Sequence, residues 1–431
     1  MLSRLAHAFR RRPWTTAVAL VLLLPLATAG AFHFYALRQW HLAQQALLKS
    51  PAEADARLRT CLKLWPWDVS THLLAARAAR LNADFSRAEA LLNYCLKLTP
   101  NNRDPIQLEF LLLRVQTGEL NEVEEPLLNC VENGHPESLV ILETLAGAYM
   151  RNLRYAPALN VLNQWIRLEP NSAQPYQQRA WLLERASDQQ AALRDYRKAV
   201  QLAPNEVAPR LRLAELLLQE NETAEAVPHL ELLYKRHPER HDVIARLGQC
   251  RLLQGRADEA RQLLETAVQA MPDDALVLVS LARLDIQEGK ASQAEKWLRH
   301  LLQLDRSDTE GQYLLVQALR LQGRMQEAEA AQLQYNQLQE LLKRVNILLR
   351  DVVERHPNDP EPASEAGRGL LRLGQDRLGL YWLHEALRRD ARHQASHQAL
   401  ADYYQEKDPE KATYHRQQLA ASTKAGISSG R

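Results

Sequence analysis

The sequence predicts an all-α protein built as a solenoid of helical hairpins. Three observations predict it. Proline recurs in one register, at Pro66, Pro100, Pro170, Pro204, Pro238 and Pro272, with Pro136 slightly displaced and with Arg306 and Ala391 taking the slot without proline. A small residue recurs at a second fixed place, as Ala54, Ala88, Ala158, Ala192, Ala226, Ala260, Ala294 and Ala328. Between these markers apolar residues step by three and four, as on one face of a helix. Chance does not hold such a spacing over so many copies. A lone hairpin cannot bury its apolar face, so the copies must stack on one another.

The clearest copy runs from Ala173 to Glu206. Tyr176, Ala180 and Leu183 fall on one helix face, and Ala192, Tyr196 and Ala199 on another. Arg185-Ala-Ser-Asp forms a polar turn between them, and Pro204 with Asn205 stops the second helix. This order of small, aromatic, small and proline residues resembles the tetratricopeptide repeat, a helical hairpin recurring every ~34 residues. The resemblance covers roughly Tyr35 to Ala421. It implies a right-handed superhelix whose first helices line a concave groove that holds an extended peptide or a partner helix.

In chain order, residues 1–13 are basic and free of acid, and read as a cytoplasmic tail. Trp14 to Leu37 is apolar apart from Thr15, Thr16, Thr28 and His33. About 20 apolar residues suffice to span a bilayer as a helix. The segment is read either as a secretory signal cleaved after Ala27-Thr-Ala29 or as an uncleaved transmembrane anchor. The anchor is favoured, because the apolar run continues through Ala31, Phe32, Phe34 and Tyr35. It then passes without a breaker into the stretch from Arg38 that fills the first-helix slot of the hairpin ending at Pro66. Trp14 and Tyr35–Trp40 suit the two membrane interfaces. The arginines ahead of the span favour the N-terminus in the cytoplasm and the repeats outside it, with a cytoplasmic solenoid as the alternative.

Residues 38–324 form the main array. The hairpin from Arg103 to Glu137 is the most degenerate, and Pro126 inside its second helix predicts distortion there. Gly255, Gly289 and Gly323 mark turns. Residues 325–356 hold no glycine or proline, and Leu338, Leu341, Val345, Leu348 and Val352 step by three and four. This predicts one long amphipathic helix, an extended second helix without its own partner, that divides the array. A break near Asn346 is the alternative. Residues 357–421 supply a hairpin from Glu361 to Ala391, with Gly367, Gly374, Leu383 and Ala386 in place, and a more polar cap from Gln394 to Ala421. Residues 422–431 read as a disordered tail.

Formal net charge is +2, and removing Arg4, Arg10, Arg11 and Arg12 leaves −2 for the rest, so nothing favours nucleic-acid binding by the repeats. Cys61, Cys95 and Cys130 stand where the repeat wants a small residue, as Ala199 and Ala267 do, and are expected as buried thiols. Equivalent places on neighbouring hairpins are roughly 9–10 Å apart, too far for a disulfide. Cys250 lies on a first helix.

No phosphate loop, HExxH, GxSxG or CxxCH is present. His393 and His397 have a metal-holding spacing. Yet His393 falls in a loop and no third ligand is evident, so surface histidines are expected. No catalytic residue, cofactor or metal is expected, and almost no chain is left over for a catalytic domain.

The groove positions implied by the resemblance are Trp181, Arg185, Arg212, Arg246, Arg283, Tyr313 and Arg320, with Arg77, Arg80, Arg114, Arg151, Arg368 and Arg372 at equivalent places. Glu143, Glu184, Glu215, Asp242 and Glu310 interleave with them. Arginine pairs with carboxylates and stacks on flat groups. The plainer alternative is a solvated face laced with ion pairs, such as Arg212 with Glu215. The expected function is a membrane-anchored scaffold that binds protein partners through its groove and organises an envelope complex. A soluble periplasmic or secreted adaptor, or a regulatory subunit of an envelope enzyme complex, is the alternative.

Overall fold

The computed structural model describes the backbone of residues 13–99, 104–354 and 358–428, and the side chains of residues 28–99, 104–350 and 358–421. Among the described residues all regular structure is helical, in twenty-two helices. The chain divides into two compact units, Met1–Glu206 and Val207–Arg431. The first holds α1 (Pro13–Ala46), α2 (Pro51–Leu64), α3 (Val69–Leu81), α4 (Phe85–Leu98), α5 (Asp104–Thr117), α6 (Leu120–Glu132), α7 (Ser138–Arg151), α8 (Tyr155–Leu168), α9 (Ala173–Arg185) and α10 (Gln189–Leu202). The second holds α11 (Val207–Gln219), α12 (Thr223–Arg236), α13 (His241–Leu253), α14 (Ala257–Ala270), α15 (Ala275–Gln287), α16 (Ala291–Leu304), α17 (Thr309–Leu321), α18 (Met325–Glu354), α19 (Pro360–Arg372), α20 (Asp376–Arg389), α21 (Gln394–Lys407) and α22 (Pro409–Ser428).

The repeat alanines do what their spacing implies. Ala54, Ala88, Ala158, Ala192, Ala226, Ala260 and Ala294 are fully buried, and Ala328 nearly so. Each sits in the first turn of a second helix, where a larger side chain would push the hairpin apart. The turns repeat as closely. Leu153, Ser187, Asn221, Gly255, Gly289 and Gly323 all have positive φ, between 57° and 76°. In each, the next amide closes a six-to-one bond onto the preceding helix, as Arg154 does to Tyr149 and Arg256 to Arg251. Glycine supplies this left-handed residue in the later copies, and ordinary L-residues bear the strain in the earlier ones.

In the first unit, α1 runs unbroken from Pro13 to Ala46. Its C-terminal part packs as the first helix of the first hairpin: Ala36 is buried, its carbonyl accepting from the Cys61 thiol, and Ala43, with Leu47 just beyond the helix, joins the cluster of Ala54, Leu58 and Ala75. Among the described residues no helix is long and apolar enough to cross a membrane. Most of the expected span, residues 14–27, has its side chains outside the described residues. Pro126 is carried inside α6 without ending it.

In the second unit, α18 is continuous past Asn346. It does not lack a partner, as the sequence suggested. Val345 packs with Leu370 and Leu373, and Leu338, Leu341 and Leu349 close around them. Gly369 makes this possible, because a Cβ there would stand 2.4 Å from Val345 Cγ2. The C-terminal half of α18 thus serves as the neighbour of α19. The division between units falls at Glu206, and the long helix lies inside the second unit. Two further corrections concern burial and order. Cys61, Cys95 and Cys250 are buried, but Cys130, on the most degenerate hairpin, is only half-buried. The backbone of α22 stays helical to Ser428, through Gly426; residues 429–431 lie outside the described residues.

Candidate functional site

Three predicted groove arginines lie in the second unit, and two of them meet. Arg212 on α11 and Arg246 on α13 both clasp Glu215, each at 2.5 Å. Arg246 also donates to the Asp242 carbonyl at 3.0 Å. Arg283 on α15 pairs with Glu310 on α17. A cleft of about 230 Å³ is walled by Arg212, Glu215, Arg246, Gln249 and Leu276. A second, of about 280 Å³, shares Gln249 and Leu276 and reaches Arg283, Asp308 and Glu310. The first helices therefore line a furrow, but its cations are already matched to carboxylates. The result is an amphoteric wall with apolar steps rather than a positive strip. Tyr313 and Arg320 belong elsewhere. The Tyr313 ring lies 5.9 Å from Tyr335 and Arg320 donates to Gln332 at 3.1 Å, so both address α18. Arg368 pairs with Glu361 at 2.7 Å, and Arg372 is exposed on α19.

Trp181 and Arg185 lie in the first unit. The Arg185 guanidinium sits 5.0 Å over Trp181 and 5.8 Å over Tyr155, and its Nε donates to the Tyr155 hydroxyl at 3.2 Å. A cleft of this unit, about 570 Å³, is lined by Leu48, Arg77, Arg80, Val140, Glu143 and Arg151 among others. Leu48 is 77% exposed, an apolar step with nothing over it. A neighbouring cleft of about 400 Å³ shares Arg77 and includes Trp40, Leu73 and His135.

Arg80 is not the solvent-facing groove cation the sequence suggested. It is 2% exposed, and its Nε meets Glu109 Oε2 at 2.9 Å; Glu109 is 1% exposed. The other Glu109 oxygen holds Arg77 Nε at 2.6 Å, and Arg77 also reaches Glu137 at 3.4 Å. Burial works to lower the Arg77 pKa, but these two carboxylates outweigh it and the net shift is upward. Glu109 was missed. Its signal was present: a single acid inside the apolar run Leu108-Glu-Phe-Leu-Leu-Leu, which demands a buried partner. Arg114 pairs with Glu119 at 2.8 Å and with Glu122, at the hairpin turn rather than across a groove.

The paired histidines are each occupied separately. His393 caps α21 through Ser396 and meets Glu361 at 2.9 Å. His397 lies between the Ala391 carbonyl, 3.0 Å from its Nε2, and His415, whose Nδ1 is 2.9 Å from its Nδ1. A carbonyl only accepts, so His397 donates from Nε2 and accepts at Nδ1, and His415 donates from Nδ1. Burial, then the nearby His397 and His384, hold the His415 pKa down at about 4. Among the described residues no group of three potential metal ligands occurs.

Residues 173–206 match the model of one tetratricopeptide repeat, and residues 217–284 and 251–317 match a second tetratricopeptide-repeat model. No curated protein matches the chain. Among solved structures, the chain is similar to a tetratricopeptide repeat protein from Parabacteroides merdae, at 15% identity and a TM-score of 0.40, over 61% of this chain and 98% of that one. It is similar to PilW, a type IV pilus biogenesis factor, at 21% identity and a TM-score of 0.40, over 47% and 98%. It is also similar to the APC/C hetero-tetramer Cut9-Hcn1, at 15% identity and a TM-score of 0.34, over 92% and 85%.

Proposed function

We propose, on the premise that the chain is a tetratricopeptide-repeat protein, that it is a membrane-anchored scaffold organising an envelope complex. Its repeats stand on the extracytoplasmic side and hold protein partners in the clefts of their first helices. The carrying observation is the open cleft of the first unit, about 570 Å³, whose lining includes the exposed Leu48 and Arg151 together with Glu143. Such a wall takes an extended segment that offers both charge and an apolar anchor, and anchors of this kind concentrate binding energy. The furrow along Arg212, Arg246 and Arg283 is a second seat of the same kind. The anchored reading rests on the apolar run from Trp14 to Leu37, carried by one helix that docks its other end on the first hairpin.

The test is a crosslinking pull-down from membranes with two variants. One changes Leu48 and Arg151 to glutamate, the other changes Arg212, Arg246 and Arg283 to glutamate, and circular dichroism confirms that the helices survive. Loss of a defined protein partner supports the reading; an unchanged partner set with both variants folded refutes it. Retention of the full chain in membranes after an alkaline wash supports the anchor. A soluble chain beginning at Gly30 would replace the anchor by a cleaved signal.

A further inference from the structure

We infer that the loop Trp65–Pro66–Trp67 is a second membrane contact, seated in the interface of the bilayer that receives the N-terminal part of α1. The inference rests on the anchored reading above and adds to it a contact from a different element. Trp67 is 77% exposed, although the loop around it is held from three sides. The Trp65 ring packs 5.1 Å from His33 of α1. The Tyr94 hydroxyl of α4 donates to the Pro66 carbonyl at 3.3 Å. Asp68 caps α3, accepting from the Thr71 amide at 2.8 Å. A fixed loop that still presents most of an indole to solvent offers an apolar surface that its own fold leaves largely uncovered.

The surroundings say what covers it. On α1 beside the loop, Phe32 is 60% exposed, Phe34 71% and Tyr35 48%. These residues belong to the apolar run that ends at Leu37, so whatever surrounds that run reaches them too. His33 lies four residues before Leu37, about 6 Å along the helix axis. The loop therefore meets α1 at the edge of the run and not at its middle. His33, Leu64, Trp65, Trp67 and Asp68 enclose a shallow recess of about 430 Å³. Arg38 and Lys63 are exposed close by in sequence. A rigid aromatic with a polar N–H, at the boundary between an apolar run and basic residues, matches the interfacial preference of tryptophan. Basic side chains there meet lipid phosphates. Two contacts from separate elements would set the tilt of the first hairpin on the membrane, which a single helix does not.

The test uses the full chain in vesicles of phosphatidylcholine and phosphatidylglycerol, with the four native cysteines changed to alanine, the residue that Ala199 and Ala267 supply in the slot of Cys61, Cys95 and Cys130. Single cysteines replace Trp67, Ala31 or, as a control, the exposed Leu168, and each carries a nitroxide. Accessibility to oxygen relative to a nickel chelate should be severalfold higher at positions 31 and 67 than at 168. Position 31 in lipid with position 67 in water would overturn the loop contact and leave the anchor standing. Positions 31 and 67 both in water would overturn both. If the cysteine-free chain folds poorly, the unaltered chain gives a second reading. Brominated lipid should quench its tryptophan emission, and W67F should lose a resolvable share of that quenching; no change with W67F overturns the inference.

Discussion

Glu109 is the residue on which the inner wall of the first unit depends. Its carboxylate is 1% exposed and serves Arg80, which is 2% exposed, at 2.9 Å. Replacing Glu109 by alanine leaves the Arg80 guanidinium charged, buried and with its main partner gone. At an effective dielectric of about 20, two charges about 4 Å apart interact by about 4 kcal/mol. Removing one partner of a buried pair costs about 3–5 kcal/mol by the same reasoning. Arg77 suffers less, because its side chain is 22% exposed and it keeps Glu137 at 3.4 Å. The expected loss for Glu109→Ala is thus about 3–4 kcal/mol, confined to the first unit. The double change Arg80→Met with Glu109→Leu removes both charges and should return to within about 1 kcal/mol of the parent. Urea unfolding followed by circular dichroism gives the size of the effect. Hydrogen exchange of the α3 and α5 amides locates it, which matters because a repeat chain need not unfold in one step. A loss under about 1 kcal/mol for the single change, or a double variant worse than the single, would refute the buried-pair argument.

Three other outcomes are expected. Leu153 and Ser187 carry φ of 57° and 60°; replacing either by glycine should relieve about 1–2 kcal/mol of strain against a smaller entropic cost, a net gain of about 0.5–1 kcal/mol readable as a higher Tm. Ala192→Leu should lose about 1–3 kcal/mol by overpacking, since Ala192 has no exposed surface; unchanged melts would mean the hairpin register is wrong. The C-terminal cap should weaken in acid. The folded His415 pKa lies at about 4, below its ordinary 6.5, owing first to burial and then to His397 and His384, with Lys411 acting on His384 in the same direction. Its contribution is therefore present above pH 6.5 and is lost as pH falls toward 4, by up to about 3 kcal/mol. Protection of the α22 amides, expressed relative to their intrinsic exchange rate at each pH, should fall between pH 7 and pH 5, and His415→Phe should flatten that dependence.

The hairpin array was legible because most copies carry their own stop and their own contact alanine, both local in sequence. The turns at Gly255, Gly289 and Gly323 announced themselves. The same turn at Leu153 or Ser187 did not, because the left-handed residue there is of an ordinary type. The partner of α18 was hidden by a half-repeat slip in the proline register, and only the close approach of Gly369 to Val345 reveals it. Nothing near Pro204 distinguished the division at Glu206 from the joints at Pro170 or Pro238. For the candidate site, position along the repeat located the furrow at Arg212, Arg246 and Arg283. It could not tell a groove cation from Arg80, whose role is decided by an acid 29 residues away.

The central claim is that first-helix clefts, rather than other exposed faces, hold a protein partner. A photo-crosslinking amino acid placed at Leu48, which lines the cleft of about 570 Å³ in the first unit, and at Leu168, exposed at the end of a second helix, tests it in native membranes. The account predicts a discrete protein adduct from position 48 and none from position 168. No adduct from position 48, or the same adducts from both, would contradict it.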